Sequence, residues 1–338
     1  MKLPGILLAA CGLAGLLLLR RPVNYSLADK VVVITGGSRG LGLALAREFS
    51  RHGAKVALLA RDREELERAA TDLRNSGAEV TTWTCDVQRD QDVEETISAI
   101  GREYGRIDIL VNNAGIMLVA PLDLMVKEDF EEAMNVHFWA AYRLITAALP
   151  RLKQSRPSRI GNISSIGGRV AVPHMAPYCA SKFAAAGFSD AIRAELVREG
   201  VHVTSVFPGL MRTGSHINAE FKGSHAKEYA WFSISAGLPF LSIDASRAAH
   251  QIVEAARSGR PELTITLQAR ALILAQALAP GLFARALQLV NALLPGNPGG
   301  EAPSRRKGYH CQSDVSPSRL TQLADEASPH YNELPKPE

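Results

Sequence analysis

The stretch VVVITGGSRGLGLALA, residues 31–46, joins a run of β-branched residues to three spaced glycines and then to an apolar segment rich in helix formers. The β-branched run is typical of a buried strand. Gly36, Gly40 and Gly42 permit a tight turn and let the backbone approach a pyrophosphate closely. The following helix offers its first amides and its dipole to the same phosphates. The order of strand, glycine turn and helix therefore predicts a dinucleotide-binding unit.

Strand-like runs alternate with amphipathic segments over most of the chain. The predicted strands are KVVVITG, KVALLAR, EVTTWTCDV, IDILVNNAG, SRIGNISS and VHVTSVFPG, and ELTITL allows one more. Such alternation is typical of a parallel sheet that helices cover on both faces through right-handed crossovers. We therefore predict an α/β fold with a doubly wound parallel sheet of Rossmann type, in a single domain over residues 30–262.

The end of the second predicted strand indicates which dinucleotide binds. A site that prefers NAD usually carries an acidic residue there to hold the adenosine ribose hydroxyls, and Leu59, Ala60 and Arg61 supply none. Arg61 and Arg39, which lies inside the glycine loop, suit a 2′-phosphate through charge-assisted hydrogen bonds. We therefore predict NADP(H), against the alternative that both arginines are solvated surface charges.

Composition argues against several other classes. The 338 residues carry a formal net charge of +4 without a dense basic run beyond residues 305–307, so nucleic-acid binding is not expected. The four cysteines show no C-x-x-C spacing and no accompanying histidine cluster, so neither a disulfide framework nor a metal site is expected. Cys179 is expected to be a small buried residue and His174 a surface loop histidine.

Four motifs, in order along the chain, resemble those of the short-chain dehydrogenase/reductase family. TGGSRGLG at residues 35–42 resembles its glycine loop, and NNAG at 112–115 the end of its fourth strand. YCASK at 178–182 resembles its tyrosine–lysine motif, and PG at 208–209 the end of its sixth strand. The glycine spacing is that of the compact oxidoreductase subtype. The resemblance covers about residues 29–260 and implies hydride transfer between a nicotinamide and a carbonyl or alcohol.

The resemblance also implies the catalytic residues. Tyr178 matches the general acid/base, and Lys182, four residues later on the same helix face, matches its partner, which also holds the nicotinamide ribose. The ammonium beside the phenol, together with the positive nicotinamide ring of the oxidised cofactor, is expected to lower the pKa of Tyr178. Ser165, thirteen positions before the tyrosine, would orient the substrate oxygen. Asn135 would hold a water that links Lys182 to solvent.

Further positions would contact the cofactor. The glycine loop, the charges beside it and the resemblance together imply contacts from Gly36, Ser38, Arg39, Gly40, Leu41, Gly42, Arg61, Asp86, Val87, Asn113, Ala114, Gly115, Tyr178, Lys182, Pro208, Gly209 and Thr213. Simple structural roles stay open for three of the predicted site residues: Ser165 as a turn residue, Asn135 as a polar helix residue and Asp86 as a turn former.

The amino terminus carries no charge over residues 3–19, and two arginines follow. A helix of this length is about 26 Å long, at the short end of what spans a bilayer. A cleaved signal peptide or a lipoprotein signal fits less well, because RRPVNY follows and apolar sequence continues past Cys11. We predict an anchor helix over residues 1–21 and a linker over 22–29. The main domain is expected on the cytoplasmic side of the bacterial inner membrane or the endoplasmic reticulum.

Three further segments carry expectations. Residues 210–243 hold aromatic residues among Gly, Ser and His and predict either a lid over a substrate cleft or an irregular connection. Residues 263–296 are apolar with a break at Pro280–Gly281, and predict a helical hairpin that lies on a bilayer, caps the substrate mouth or packs on a partner subunit. Residues 297–338 are rich in Pro, Ser and charges, and we expect disorder there.

These features together predict a membrane-anchored NADP(H)-dependent oxidoreductase that interconverts a carbonyl and an alcohol. A lipophilic substrate of steroid, retinoid or acyl-chain type is expected from the anchor, the apolar hairpin and the aromatic residues of the lid segment. The alternative is a catalytically silent NADP(H)-binding protein of a membrane, a sensor or scaffold, which would not need the tyrosine and serine. The resemblance also allows a homo-oligomer.

Overall fold

The computed structural model describes residues 25–297, residue 299 and residues 304–335. The predicted anchor over residues 1–21 lies outside this part of the chain, as do the first residues of the predicted linker. Among the described helices, none combines the length and the apolar composition that crossing a membrane requires.

Strands and helices alternate along the described chain. The strands are β1 (Val31–Thr35), β2 (Lys55–Ala60), β3 (Val80–Thr84), β4 (Ile109–Asn112), β5 (Leu118–Val119), β6 (Ser158–Ile163), β7 (Val201–Pro208), β8 (Leu210–Arg212), β9 (Glu220–Phe221), β10 (Ser242–Asp244), β11 (Glu262–Ile265) and β12 (Arg306–Lys307). The α-helices are α1 (Gly40–Arg51), α2 (Arg63–Asn75), α3 (Asp90–Tyr104), α4 (Lys127–Met134), α5 (Ala140–Gln154), α6 (Ala176–Leu196), α7 (His225–Gly237), α8 (Ala245–Arg257), α9 (Leu267–Leu278), α10 (Pro280–Leu293) and α11 (Gln322–His330).

Seven of these strands form one sheet, in the order β11-β7-β6-β4-β1-β2-β3. All neighbours pair in parallel, and Val32 of β1 pairs with Val56 of β2 on one side and Ile109 of β4 on the other. The order reverses at β1, because the chain moves outwards to β2 and β3 and then returns to β4. The predicted doubly wound parallel sheet is confirmed, and the reversal opens a crevice at the carboxyl ends of β1 and β4.

Successive residues of each central strand enter one of two apolar cores. Ile34 of β1 lies in one core with Phe49 of α1 and Ile252 of α8. Val33 lies in the opposite core with Leu144 of α5. Because helices cover both faces of the sheet, the strands read in the sequence as continuous apolar runs rather than as an alternating pattern.

The predicted polar linker over residues 22–29 needs correction in its described part. Tyr25 and Leu27 are 5% and 3% exposed and belong to the core. The guanidinium of Arg159, which is fully buried, lies 4.2 Å from the centre of the Tyr25 ring and donates to the carbonyl of Ala256 at 2.9 Å. The aromatic ring thus covers a buried cation, a role that no local sequence pattern reveals.

The apolar hairpin begins later than predicted. β11 pairs with β7, so the sheet extends past the predicted domain boundary at residue 262. α9 and α10 follow, and the helical conformation is interrupted between them at Ala279. Leucines of both helices face solvent, with Leu278 and Leu282 being 76% and 70% exposed. The segment is therefore an apolar surface that the rest of the described chain leaves uncovered.

Disorder of the tail, expected over residues 297–338, is wrong for residues 304–335. β12 pairs with β9 in antiparallel fashion, and α11 packs against α7. Arg305 donates to Asp129, 176 residues away in the sequence, at 2.6 Å. The charges that suggested disorder meet distant partners on the domain, and composition alone cannot reveal such partners.

Gly42 has no room for a side chain. A Cβ there would stand 1.9 Å from the carbonyl oxygen of Gly36, a backbone atom that cannot move aside cheaply. The substitution Gly42→Ala should therefore lower the free energy of unfolding by about 3 kcal/mol, as chemical denaturation would measure.

Gly187, exposed on α6, is the matched control, because nothing lies within 4 Å of its Cβ position. Gly187→Ala should raise the free energy of unfolding by about 1 kcal/mol through helix propensity. Equal effects of the two substitutions would contradict the close packing of the glycine loop.

Candidate active site

Ser165 and Tyr178 meet where β6 ends and α6 begins. The Ser165 hydroxyl accepts a hydrogen bond from the Gly167 amide at 3.0 Å and so starts the 3₁₀ turn Ile166–Gly168. The Ser165 hydroxyl lies near the Tyr178 hydroxyl and opposes the rise in its pKa that burial causes. Gly167 permits this approach, since a Cβ there would stand 3.0 Å from the Tyr178 ring. Ser165 is thus a turn residue and a neighbour of the predicted acid/base at once.

Lys182 lies one helical turn after Tyr178 and is 5% exposed. Its ammonium donates to the carbonyl of Ile163 at 3.0 Å and lies 5.7 Å from the centre of the Tyr178 ring. Burial lowers the pKa of Lys182 to about 8. The group is therefore able to exchange a proton near neutral pH.

The expected lowering of the Tyr178 pKa is not what the structure gives. Burial raises the pKa of Tyr178 to about 12, and the nearby Ser165 hydroxyl opposes this only in part. The reason is that the Lys182 ammonium is bound to the Ile163 carbonyl rather than to the phenol, so it does little to stabilise a phenolate. The Tyr178 phenol is therefore protonated near neutral pH and able to donate a proton.

Asn135 opens a π-helical turn, Asn135–Trp139, between α4 and α5. Such turns inside helices are often found at functional sites. A small cavity beside Lys182 is lined by His137 and Asn162 among others, and Asn135 is not one of its lining residues. The water that Asn135 was expected to hold therefore stays a prediction.

His137 was missed by sequence reasoning and lies against Tyr178, with ring centres 5.4 Å apart. Its Nε2 accepts from the Ile116 amide at 3.1 Å, so Nδ1 carries the proton and donates to the Ser181 hydroxyl at 2.7 Å. Burial, helped by the charge of Lys182, holds the pKa of His137 well below its usual value, so the ring is neutral. Its partners come from separate segments, which a local pattern cannot connect.

The glycine loop is held in shape by the residues that follow β4. Gly36 and Gly40 have positive φ angles of 61° and 57°. The Thr35 hydroxyl accepts from the amides of Asn113 and Ala114 at 3.0 Å each. The Asn113 side chain donates to the carbonyls of Thr35 and Gly36, at 2.9 and 3.2 Å. Asn113 thus fixes the loop, and the side-chain-free inner curve of the loop fits a dinucleotide phosphate.

Charged groups lie where the adenosine end of a dinucleotide is expected. The Ser38 hydroxyl and the Arg39 guanidinium both donate to the Glu65 carboxylate at 3.2 Å. Arg61 is exposed immediately after β2. A 2′-phosphate would therefore contact the solvent-exposed Arg61 side chain and would compete with the Glu65 carboxylate for Arg39.

The other predicted cofactor residues lie at the same edge of the sheet. Asp86 accepts from the Gln88 amide at 3.1 Å and so forms a turn, as its structural alternative proposed. Thr213 is buried and donates to Ser215 at 2.9 Å. The remaining positions lie in the first turn of α1, on the loops after β3 and β4 and at the end of β7: Leu41, Gly42, Val87, Ala114, Gly115, Pro208 and Gly209. Their contact with a cofactor stays a prediction.

His174 is not the surface histidine that the sequence suggested. Its side chain is 8% exposed, and Nδ1 bonds the buried carboxylate of Glu228 at 2.9 Å. Trp231 donates to the same carboxylate at 2.7 Å, and burial raises the pKa of Glu228. These contacts tie α7, in the segment predicted as a lid, to the loop before Tyr178. Cys179 is buried as expected.

Solved structures of similar proteins share the fold. A variant of actinorhodin polyketide ketoreductase with NADPH is 29% identical, with a TM-score of 0.63 over 70% of this chain and 95% of that chain. The L-sorbose reductase of Gluconobacter frateurii, complexed with NADPH and L-sorbose, is 25% identical, with a TM-score of 0.65 over 72% and 97%.

Curated relatives are similar to this chain in sequence. The chain is 38% identical over 199 residues to the dehydrogenase/reductase SDR family protein 7-like of Anopheles gambiae, covering 57% of this chain and 62% of that protein. The chain thus spans less than two thirds of that relative. It is 33% identical over 192 residues to gluconate 5-dehydrogenase of Gluconobacter oxydans, covering 57% and 75%. The family profile of short chain dehydrogenases matches residues 30–222, more than half of the chain, which therefore belongs to this family.

Proposed function

We propose that the chain is an NADP(H)-dependent oxidoreductase that interconverts a carbonyl and an alcohol, with Tyr178 as general acid/base. The observation that supports this most directly is that Tyr178 and Ser165 lie side by side, with Lys182 one helical turn away, at the edge of the sheet where the glycine loop lies. The ketoreductase and the L-sorbose reductase described above, which share the fold, were both solved with NADPH.

The residues that would hold the cofactor are the glycine loop, Thr213 and the two arginines Arg39 and Arg61. When bound, the nicotinamide supplies or accepts the hydride. The loop would offer its amides to the phosphates, and the arginines would favour a 2′-phosphate over a free ribose hydroxyl.

The chain's own groups would handle the proton. A carbonyl oxygen that gains negative charge needs a proton donor. The raised pKa of Tyr178, about 12, keeps its phenol protonated for that role. The Ser165 hydroxyl would share this oxygen and fix its position. Lys182, whose pKa is about 8, would then be the nearest group able to return a proton to the phenol.

A lipophilic substrate is the proposal for this site. The uncovered leucines of α9 and α10 support it, together with Phe240, which is 83% exposed. The Gln268 side chain of α9 donates to the Phe240 carbonyl, so the hairpin and the end of the lid segment are connected. We extend this to a membrane association of the hairpin and of the anchor over residues 1–21, with the main domain on the cytoplasmic side.

Replacing Tyr178 tests the acid/base role. Tyr178→Phe removes the proton donor and should lower carbonyl reduction by roughly 100-fold or more while NADPH still binds. The measurement is NADPH oxidation beside NADPH titration. Tyr142→Phe, an exposed phenol on α5, is the matched control and should keep full activity. Unchanged turnover of Tyr178→Phe would refute the role.

Replacing the two arginines tests the cofactor preference. Arg39→Ala and Arg61→Ala should each raise the Kd of NADPH by about tenfold or more, because a charge-assisted hydrogen bond contributes about 1.5–3 kcal/mol. The Kd of NADH should stay nearly unchanged. Kd values for both dinucleotides would be compared. Arg102→Ala, an exposed arginine of α3, is the control. Equal losses for NADPH and NADH would show that the arginines do not read the 2′-phosphate.

A series of straight-chain methyl ketones tests the substrate class. If the substrate chain is buried against apolar side chains, kcat/KM should rise by roughly fourfold for each added CH₂, since burying one contributes about 0.8 kcal/mol. Polar ketoses of matched size are the comparison set. Faster turnover of the polar set would refute the lipophilic substrate and leave the oxidoreductase activity standing.

A further inference from the structure

The carboxyl-terminal residues 331–333 lie directly on the glycine loop. The Gly40 amide donates to the Tyr331 carbonyl at 2.9 Å. The Asn332 side chain donates to the Ser38 carbonyl, 294 residues away in the sequence, at 2.8 Å. The tail therefore engages a backbone amide at the point where the fold offers its donors to phosphates.

Glu333 fills the space above the loop and is 3% exposed. Its Oε1 stands 2.7 Å from the point where a Cβ of Gly40 would lie, and Thr213 Cβ lies 4.0 Å from the same point. Asn218 donates to its Oε2 at 2.6 Å, and Arg39 Nε lies 3.6 Å from that oxygen. The carboxylate thus bridges the glycine loop and the segment that follows β7.

We propose that residues 331–333 occupy the place of the dinucleotide phosphates and compete with NADP(H) for the glycine loop, an inference that rests on the proposed function. A carboxyl group and a phosphate both accept hydrogen bonds from amides and from guanidinium groups such as that of Arg39. Both also need Gly40 to be without a side chain. The Glu333 carboxyl group and a phosphate cannot share this space, so the dinucleotide binds only after the tail has left.

The tail can leave the loop without unfolding the domain. Arg47 of α1 donates to the His330 carbonyl at 2.8 Å and lies over the Tyr331 ring, which holds the end of α11 beside the cleft. Leu334 and Pro335 are exposed. Tyr331 is 2% exposed and its side chain packs in the apolar core. Release therefore requires only the Tyr331 carbonyl, Asn332 and Glu333 to turn away from the loop, and the anchored Tyr331 ring keeps them close enough to return.

The ionisation of Glu333 should make this competition depend on pH. Burial raises the pKa of Glu333 to about 7; Arg39 and Asn218 oppose the rise, and Glu65 adds to it. Arg68 of α2 also faces the tail and donates to Asn332 at 3.1 Å, while Arg47 and Asp244 face Tyr331. Since the pKa is raised in the docked tail, the docking contribution is full below the ordinary value of about 4.3 and is lost as the pH rises through about 7.

The full-length Glu333→Ala variant tests the competition. The Kd of NADPH, from fluorescence titration at about pH 6 and about pH 8, should be about tenfold lower than in the wild type at the lower pH, if the tail docks about nine-tenths of the time. The gain should shrink at the higher pH. Asn332→Ala should act in the same direction, and Glu326→Ala, exposed on α11, should leave the Kd unchanged. Unchanged or weaker NADPH binding in both tail variants would overturn the proposal.

Hydrogen exchange gives a second readout that does not depend on turnover. Amides of residues 332–334 should exchange faster when NADPH is added, because the cofactor displaces them. Slower exchange would mean that the tail folds over the cofactor, and would overturn the competition. If neither the wild type nor any variant binds NADPH, both the proposed function and the tail competition are refuted. If NADPH binds but the hydrogen exchange of the tail does not change, only the tail competition is refuted.

Discussion

The close contact between Gly36 and Gly42 is the constraint on which the rest of the structure depends. The chain folds back so tightly after β1 that a Cβ at residue 42 would meet the Gly36 oxygen at 1.9 Å. Thr35 and Asn113 hold this turn against the end of β4. The loop and the crevice at the reversal of strand order are therefore one connected unit. The proposed cofactor site and the docked tail both use donors that this turn directs outwards.

Burial, more than charge pairing, sets the ionisation of the cleft. The pKa is raised to about 12 at Tyr178 and to about 7 at Glu333, and lowered to about 8 at Lys182, and burial is the first cause in each case. Each shift favours the uncharged form. Because burial makes these groups lose their charge more readily, a charged ligand in the cleft should change their ionisation strongly. The proton chemistry is therefore coupled to what the cleft holds.

The parts that the sequence could predict are those whose causes are local. The strands, the glycine loop and the spacing of Tyr178 and Lys182 depend on residues a few positions apart. His137 and Arg305 could not be predicted, because their partners lie on distant segments that only the fold brings near. The direction of the Tyr178 shift was also out of reach. It depends on the Lys182 ammonium binding the Ile163 carbonyl, a distance that spacing along a helix does not fix.

The contact between the tail and the glycine loop is weak enough for a dinucleotide to displace the tail. Each neutral hydrogen bond between tail and loop contributes about 1 kcal/mol net, and burying the Glu333 carboxyl offsets part of this gain. Phosphates make charge-assisted bonds that are roughly twice as strong as neutral ones. A dinucleotide with several phosphates should therefore displace the tail when it is present. Without a dinucleotide, the Gly40 amide still needs an acceptor, because a buried donor left unpaired is costly. The Tyr331 carbonyl supplies that acceptor, so the segment that blocks the cleft also satisfies the loop when no cofactor is bound.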